Sequence, residues 1–126
     1  MRYAAVITGA MLWIGAAATA EELTLRLPGV AVTRIHATFE CGKAGVALGL
    51  PSGPFTVEYV NAEENHLAIL PVHGKPLIFA NVISASGARY AAGRYIWWDA
   101  GSRGVTLYAE GVADYPRADC HSLKKK

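Results

Sequence analysis

Arg34-Ile35-His36-Ala37-Thr38-Phe39-Glu40-Cys41 decides the fold. Ile35, Ala37, Phe39 and Cys41 alternate with Arg34, His36, Thr38 and Glu40, so an extended backbone turns the apolar set to one face. The same period returns downstream. Phe55, Val57 and Tyr59 alternate with Thr56 and Glu58, and Val105, Leu107 and Ala109 alternate with Thr106, Tyr108 and Glu110. Leu67 and Ile69 lead into Pro71, Leu77 to Ile83 is nearly all apolar, and Tyr95 to Trp98 is aromatic and β-branched. Turn residues separate these runs at Leu50–Pro54, His73–Pro76, Ala92-Gly93 and Ala100-Gly101. No segment after the first twenty residues shows a helical period with caps. The chain reads as all-β, with short antiparallel hairpins closing into a sandwich or a small barrel. Trp97 and Trp98 are adjacent, so one fills the interior and the other covers the outside.

The eight-residue run ends on one of the two cysteines; the other is Cys120. The first twenty residues indicate the compartment in which they meet. Arg2 is a positive start, Ala4 to Ala18 is uncharged, and Ala18-Thr19-Ala20 offers small residues for cleavage, which is the layout of a secretory signal peptide. A spanning helix needs about 20 continuous apolar residues, and this Ala-rich run is shorter and less apolar. No Cys follows it until Cys41, so no lipid anchor is expected and the mature product reads as soluble. Residues 21–126 then form a single domain. In an oxidising compartment Cys41 and Cys120 read as one disulfide, worth ~4 kcal/mol in the chain-entropy model for so long a loop. It joins the first clear strand to the C-terminal segment, as closure of a barrel requires.

Charge gives no support to a nucleic acid partner. Lys plus Arg is 12 and Asp plus Glu is 10, with Arg2 in the leader and Lys124-Lys125-Lys126 in a tail. The body left between them is slightly acidic, with no basic stripe to follow a nucleic acid backbone. The tail reads as a solvated charge run. Reactive chemistry is also missing. No two of His36, His66, His73 and His121 stand at i, i+4, and there is no C-x-x-C pair, so a metal site has no support. None of Ser52, Ser84, Ser86, Ser102 and Ser122 lies in a G-x-S-x-G turn. Glu63-Glu64 beside His66 reads as a solvated turn, and Gly87, Gly93, Gly101 and Gly104 form no phosphate cradle. The sequence leads to a binding protein without cofactor or metal rather than to an enzyme.

Its specific signal lies in Ile83-Ser84-Ala85-Ser86-Gly87-Ala88-Arg89-Tyr90, followed by Tyr95-Ile96-Trp97-Trp98-Asp99-Ala100-Gly101, Val105-Thr106-Leu107-Tyr108 and Cys120. With Phe39-Glu40-Cys41 ahead of them, these segments resemble the MliC/PliC family of C-type lysozyme inhibitors over roughly Thr38 to Cys120. Without a lipidation Cys, the chain is similar to the periplasmic form. The resemblance implies a small eight-stranded antiparallel β-barrel with one disulfide, Cys41–Cys120. It implies a C-type lysozyme, of host or environment, as partner, blocked by loops inserted into its substrate cleft; a homodimer is compatible with it. Ser86 of the Ser-Gly-x-x-Tyr motif is expected to meet the catalytic carboxylates. Its hydroxyl donates, while Gly87 lets the backbone approach. The expected interface comprises Ser86, Gly87, Ala88, Arg89 and Tyr90, with Tyr90 as packing or strut, and the turn Asp99, Ala100, Gly101, Ser102 and Arg103.

That turn departs from the family pattern. A Lys is expected before its Gly, and Ala100 stands there; the turn is also about one residue longer, running Asp99 to Gly104. Arg103 is the expected replacement charge, with Arg89 as second choice. The alternative is an envelope binding protein of the same fold that has lost inhibition along with the lysine.

Overall fold

In the computed structural model, residues 9, 10, 12–16, 19–111, 114 and 116–124 are described. Arg2 and Ala18 of the expected leader and Lys125 and Lys126 of the tail lie outside the described residues. Eight antiparallel strands form a closed barrel in sequence order. They are β1 (Thr33–Glu40), β2 (Phe55–Ala62), β3 (Asn65–Val72), β4 (Lys75–Val82), β5 (Ala88–Ala92), β6 (Tyr95–Asp99), β7 (Val105–Ala109) and β8 (Ala118–Ser122). Of sandwich and barrel, the barrel is realised.

Alternation becomes burial in β2 and β7, whereas in β1 Phe39 is buried, Ala37 half-buried and Ile35 exposed. Phe39, Phe55, Val57, Tyr59, Ala68, Leu70, Val72, Phe79, Tyr90, Trp97, Val105, Leu107 and Ala118 make one continuous core. Trp97 has no exposed surface and meets Phe39 edge-on at 5.2 Å between ring centroids and Phe55 at 6.4 Å. Trp98 is partly exposed on the outer face. β3 carries its strand through Pro71, which faces Pro76 of β4. In a two-residue hairpin whose last pair is Val72 and Lys75, this facing pair exchanges no backbone hydrogen bonds, so two residues without N–H cost the ladder nothing there.

Closure is the thin place. β8 pairs with β1 only at Phe39↔Ser122 and Glu40↔His121, extended by Leu123 N–H donating to the Thr38 carbonyl at 2.8 Å. The Cys41–Cys120 disulfide, spanning 79 positions, ties this seam.

One element runs against the expectation of no helix. A short helix, α1 (Gly42–Ala47), follows Cys41. Six residues are too few to display an apolar period, and the N-cap makes no side-chain bond. Its backbone is tied locally: Gly45 N–H donates to the Cys41 carbonyl, and Leu48 and Leu50 N–H both return to the Gly45 carbonyl. A Cβ at Gly45 would lie 2.6 Å from Cys41 Cβ, so the turn beside the disulfide requires glycine.

The seam should dominate stability. The Cys41→Ser/Cys120→Ser double variant is expected to lose ~2–5 kcal/mol of unfolding free energy, read from urea denaturation under non-reducing conditions.

Candidate functional site

Strand direction collects the expected residues. The β2–β3 turn at Glu63-Glu64, the β4–β5 loop at 83–87 and the β6–β7 turn at 100–104 all lie at one end of the barrel. The α1 helix and the hairpins His73-Gly74 and Gly93-Arg94 lie at the other. The two segments singled out from sequence are thus neighbours, joined through the β5–β6 pairs Ala88↔Asp99 and Arg89↔Trp98.

The β4–β5 loop is fastened at Ser86. Its carbonyl accepts from Trp98 Nε1 at 3.0 Å and from the Ser84 hydroxyl. Its Oγ accepts from the Arg103 guanidinium at 2.6 Å. Gly87 makes this approach possible. Its φ is +68°, and a Cβ there would stand 2.5 Å from the Asp99 carbonyl oxygen and 3.0 Å from Ala100 Cα. Both the left-handed backbone and the close packing demand glycine.

The β6–β7 turn is fastened from below. The Asp99 carboxylate accepts from Gly101 N–H at 3.0 Å and from the Tyr59 hydroxyl at 3.2 Å. Tyr59 in turn accepts from Trp97 Nε1 at 2.8 Å. A hydrogen-bonded chain therefore runs from the barrel centre to the turn. Ala100 N–H donates to the Gly104 carbonyl at 2.9 Å, and Gly101–Arg103 form one 3₁₀ turn. Arg103 is exposed, with its guanidinium carbon 5.8 Å from the Trp98 ring centroid.

Burial pushes the Tyr59 hydroxyl well above the usual tyrosine range; the Trp97 donor opposes the shift and the Asp99 charge adds to it. Tyr90 is raised by burial first and by Asp99 second. It packs on Tyr59 at 5.8 Å between centroids and is buried.

Of the expected residues, Ser86 and Arg103 are brought into contact, with Gly87, Gly101 and Ser102 exposed around them. Ala88 and Ala100 are partly buried at the strand ends, and Asp99 serves the turn from beneath. Arg89 faces away: it donates to the Tyr108 hydroxyl at 3.2 Å and pairs with Glu110 on the barrel wall. Sequence reasoning missed Tyr59 as the support of Asp99 and Trp98 as a donor to the loop. The second had a signal, because an outward tryptophan brings an N–H in need of an acceptor. Glu63 and Glu64 are an exposed turn, and His66 bonds Asn61 at 2.8 Å. Among the described residues, no three His, Cys, Asp or Glu stand together to hold a metal, and no helix is long and apolar enough to cross a membrane.

Two measurements check this geometry. Gly87→Ala should cost at least ~1–2 kcal/mol for the left-handed backbone alone, read as a lower urea midpoint with altered tryptophan near-UV dichroism. The folded barrel also holds the Tyr59 and Tyr90 protons more tightly than the unfolded chain. Both states keep these protons below the ordinary tyrosine value of about 10, and stability is complete there. Above it the unfolded chain releases them first, so stability should fall as pH rises, by up to ~1.4 kcal/mol per pH unit for each group. Urea midpoints from pH 8 upward would show this.

Residues 51–115 match the family model described as membrane-bound lysozyme-inhibitor of c-type lysozyme. The chain is 56% identical over 63 residues to the membrane-bound lysozyme inhibitor of C-type lysozyme of Pseudomonas aeruginosa, covering 49% of each chain. It is 47% identical over 61 residues to the inhibitor of that name from Cupriavidus necator, covering 46% of this chain and 49% of the relative. The matched stretch thus spans about half the length of these curated relatives. The crystal structure of Pseudomonas aeruginosa MliC in complex with hen egg white lysozyme superposes with a TM-score of 0.61 at 38% identity, over 83% of this chain and 99% of that one. With the family model matching half of its length and the solved relative sharing its fold, the chain belongs to the MliC family of C-type lysozyme inhibitors.

Proposed function

We propose that this protein is a competitive inhibitor of C-type lysozyme that works by occupancy and performs no chemistry. The observation that carries the reading is the contact between Ser86 Oγ and the Arg103 guanidinium at the exposed end of the barrel. A guanidinium only donates, so Ser86 Oγ is the acceptor and its own hydroxyl hydrogen points elsewhere. The Ser86 carbonyl is already filled by Trp98 and Ser84. The patch therefore keeps donor capacity in the Ser86 hydroxyl hydrogen and the remaining guanidinium N–H groups. That is the complement of lysozyme, which flanks its scissile bond with two carboxyl groups.

Arg103 here fills the role left open at Ala100. It reaches the patch from three positions further along the turn, and its planar fork suits a carboxylate better than an ammonium does. Arg89 is engaged by Tyr108 and Glu110 and takes no part. The protein reaches the periplasm through a leader cleaved after Ala20 and acts there without a lipid anchor, against lysozyme from host or environment.

Slowing of cell-wall lysis by hen egg white lysozyme, followed by turbidity with a goose-type enzyme as control, tests the reading. Wild type should inhibit the C-type enzyme. Ser86→Ala and Arg103→Ala should each weaken inhibition by ~2–5 kcal/mol, as truncation of a desolvated charge-assisted contact does. Arg103→Ala matching wild type would remove the compensating role of the arginine. The second reading, a barrel that has lost inhibition and binds another envelope ligand, is favoured only by Ala100. It would prevail if micromolar wild-type protein left lysis unchanged.

A further inference from the structure

We propose that Ile83 is the apolar anchor of the interface, seating against a wall of the lysozyme cleft beside the carboxylates met by Ser86 and Arg103. The inference rests on the inhibitory reading and adds to it the residue that supplies apolar binding energy. Ile83 directly follows β4 and is 94% exposed, more than any other large apolar side chain among the described residues. Single exposed aliphatics are ordinary on protein surfaces, so exposure alone carries nothing. Its setting does.

Ile83 and Ser84 form a ridge between two open hollows. One, of about 750 Å³, is lined by His66, Asn81 and Tyr90. The other, of about 320 Å³, is lined by Trp98, Tyr108 and Arg117. A ridge flanked by two hollows is the shape complement of a cleft with two lips. The ridge is also held before binding. Three hydrogen bonds fasten Ser86, three residues on, and β4 pairs with β5 at Val82↔Arg89, one residue before. Ile83 itself is β-branched and stiff at χ1, so little rotamer freedom remains to be lost on burial. The donors of Ser86 and Arg103 recognise charge. Neither contributes much apolar area, and a tight interface needs a desolvated anchor near its centre.

The test compares inhibition constants of wild type, Ile83→Ala, Ile83→Val, Ser86→Ala and Arg103→Ala against hen egg white lysozyme at low and high salt. Ile83→Ala should weaken inhibition by about tenfold or more, and Ile83→Val by less than about threefold, in proportion to the apolar surface removed. The Ile83→Ala penalty should hold at high salt while the Arg103→Ala penalty shrinks, since screening acts on charge alone. The melting temperature should be unchanged, because the side chain packs on nothing in the free protein. Ile83→Ala within about twofold of wild type, with Ser86→Ala clearly impaired, overturns the anchor and leaves the inhibitory reading standing. Wild type without inhibition overturns both.

Discussion

Trp97 has one polar atom and no exposed surface, and the site depends on how that atom is satisfied. An indole N–H buried without an acceptor costs about 1–3 kcal/mol. Tyr59 accepts it, which leaves the Tyr59 hydroxyl hydrogen free to go to Asp99. Asp99 then uses its other oxygen on Gly101 N–H. Each bond sets the direction of the next, so the largest fully buried side chain of the barrel orients the turn that carries Arg103. Phe39 and Phe55 pack on the same indole, so packing and hydrogen bonding hold it in a single pose. A residue chosen for core volume becomes a positioning device for a surface charge.

The neighbouring loop is ordered by a different device, with the same consequence. Gly87 folds the backbone against Asp99 and Ala100, and Trp98 and Ser84 take up the Ser86 carbonyl. An interface loop that orders only on contact gives back part of its binding energy as lost chain entropy. Here three hydrogen bonds at Ser86 hold the loop in the free barrel. The two tryptophans divide the work across one strand. Trp97 faces in and sets the turn, while Trp98 faces out, pins the loop and offers its ring to Arg103.

How much of this was legible varied with chemistry. β1, β2 and β7 announce themselves by alternation, and β4 and β6 by apolar and aromatic runs. β8 does not, because its inward positions are only Ala118 and Cys120 and it reads as a small polar segment. β5, Ala-Arg-Tyr-Ala-Ala, has a single large inward residue in Tyr90 and surfaced only through the motif. α1 was invisible for want of length. Alternation buries one face equally well in a sandwich and in a barrel, so the choice between them lay outside the pattern, and the strand count came from the resemblance alone. At the site, the motif marked Ser86 and the lengthened turn marked Arg103. That the two touch depends on strand register, and no local signal encodes register. Tyr59, 40 positions from Asp99, was beyond reach for the same reason.

On the reading proposed for Arg103, a charge displaced along the turn raises the question of what such a site holds constant. The position in sequence is not the constraint. Asp99 and Val105 are paired across β6 and β7, so the ends of the turn are fixed wherever its residues fall. Between them the Ala100–Gly104 bond and one 3₁₀ turn shape the loop. They leave Ala100 partly buried at the strand end and lift Arg103 to the exposed rim. A cation at position 100 would start from the strand end and reach outward. One at position 103 starts at the rim and reaches back, and Trp98 beneath it together with Ser86 beside it limit where the guanidinium goes. The longer arginine suits the second route, because a flat delocalised cation lies over an indole face while its fork still projects donors. On the reading proposed for Arg103, the longer turn and the missing lysine are one change rather than two, with the charge carried by the part of the turn that stands at the rim.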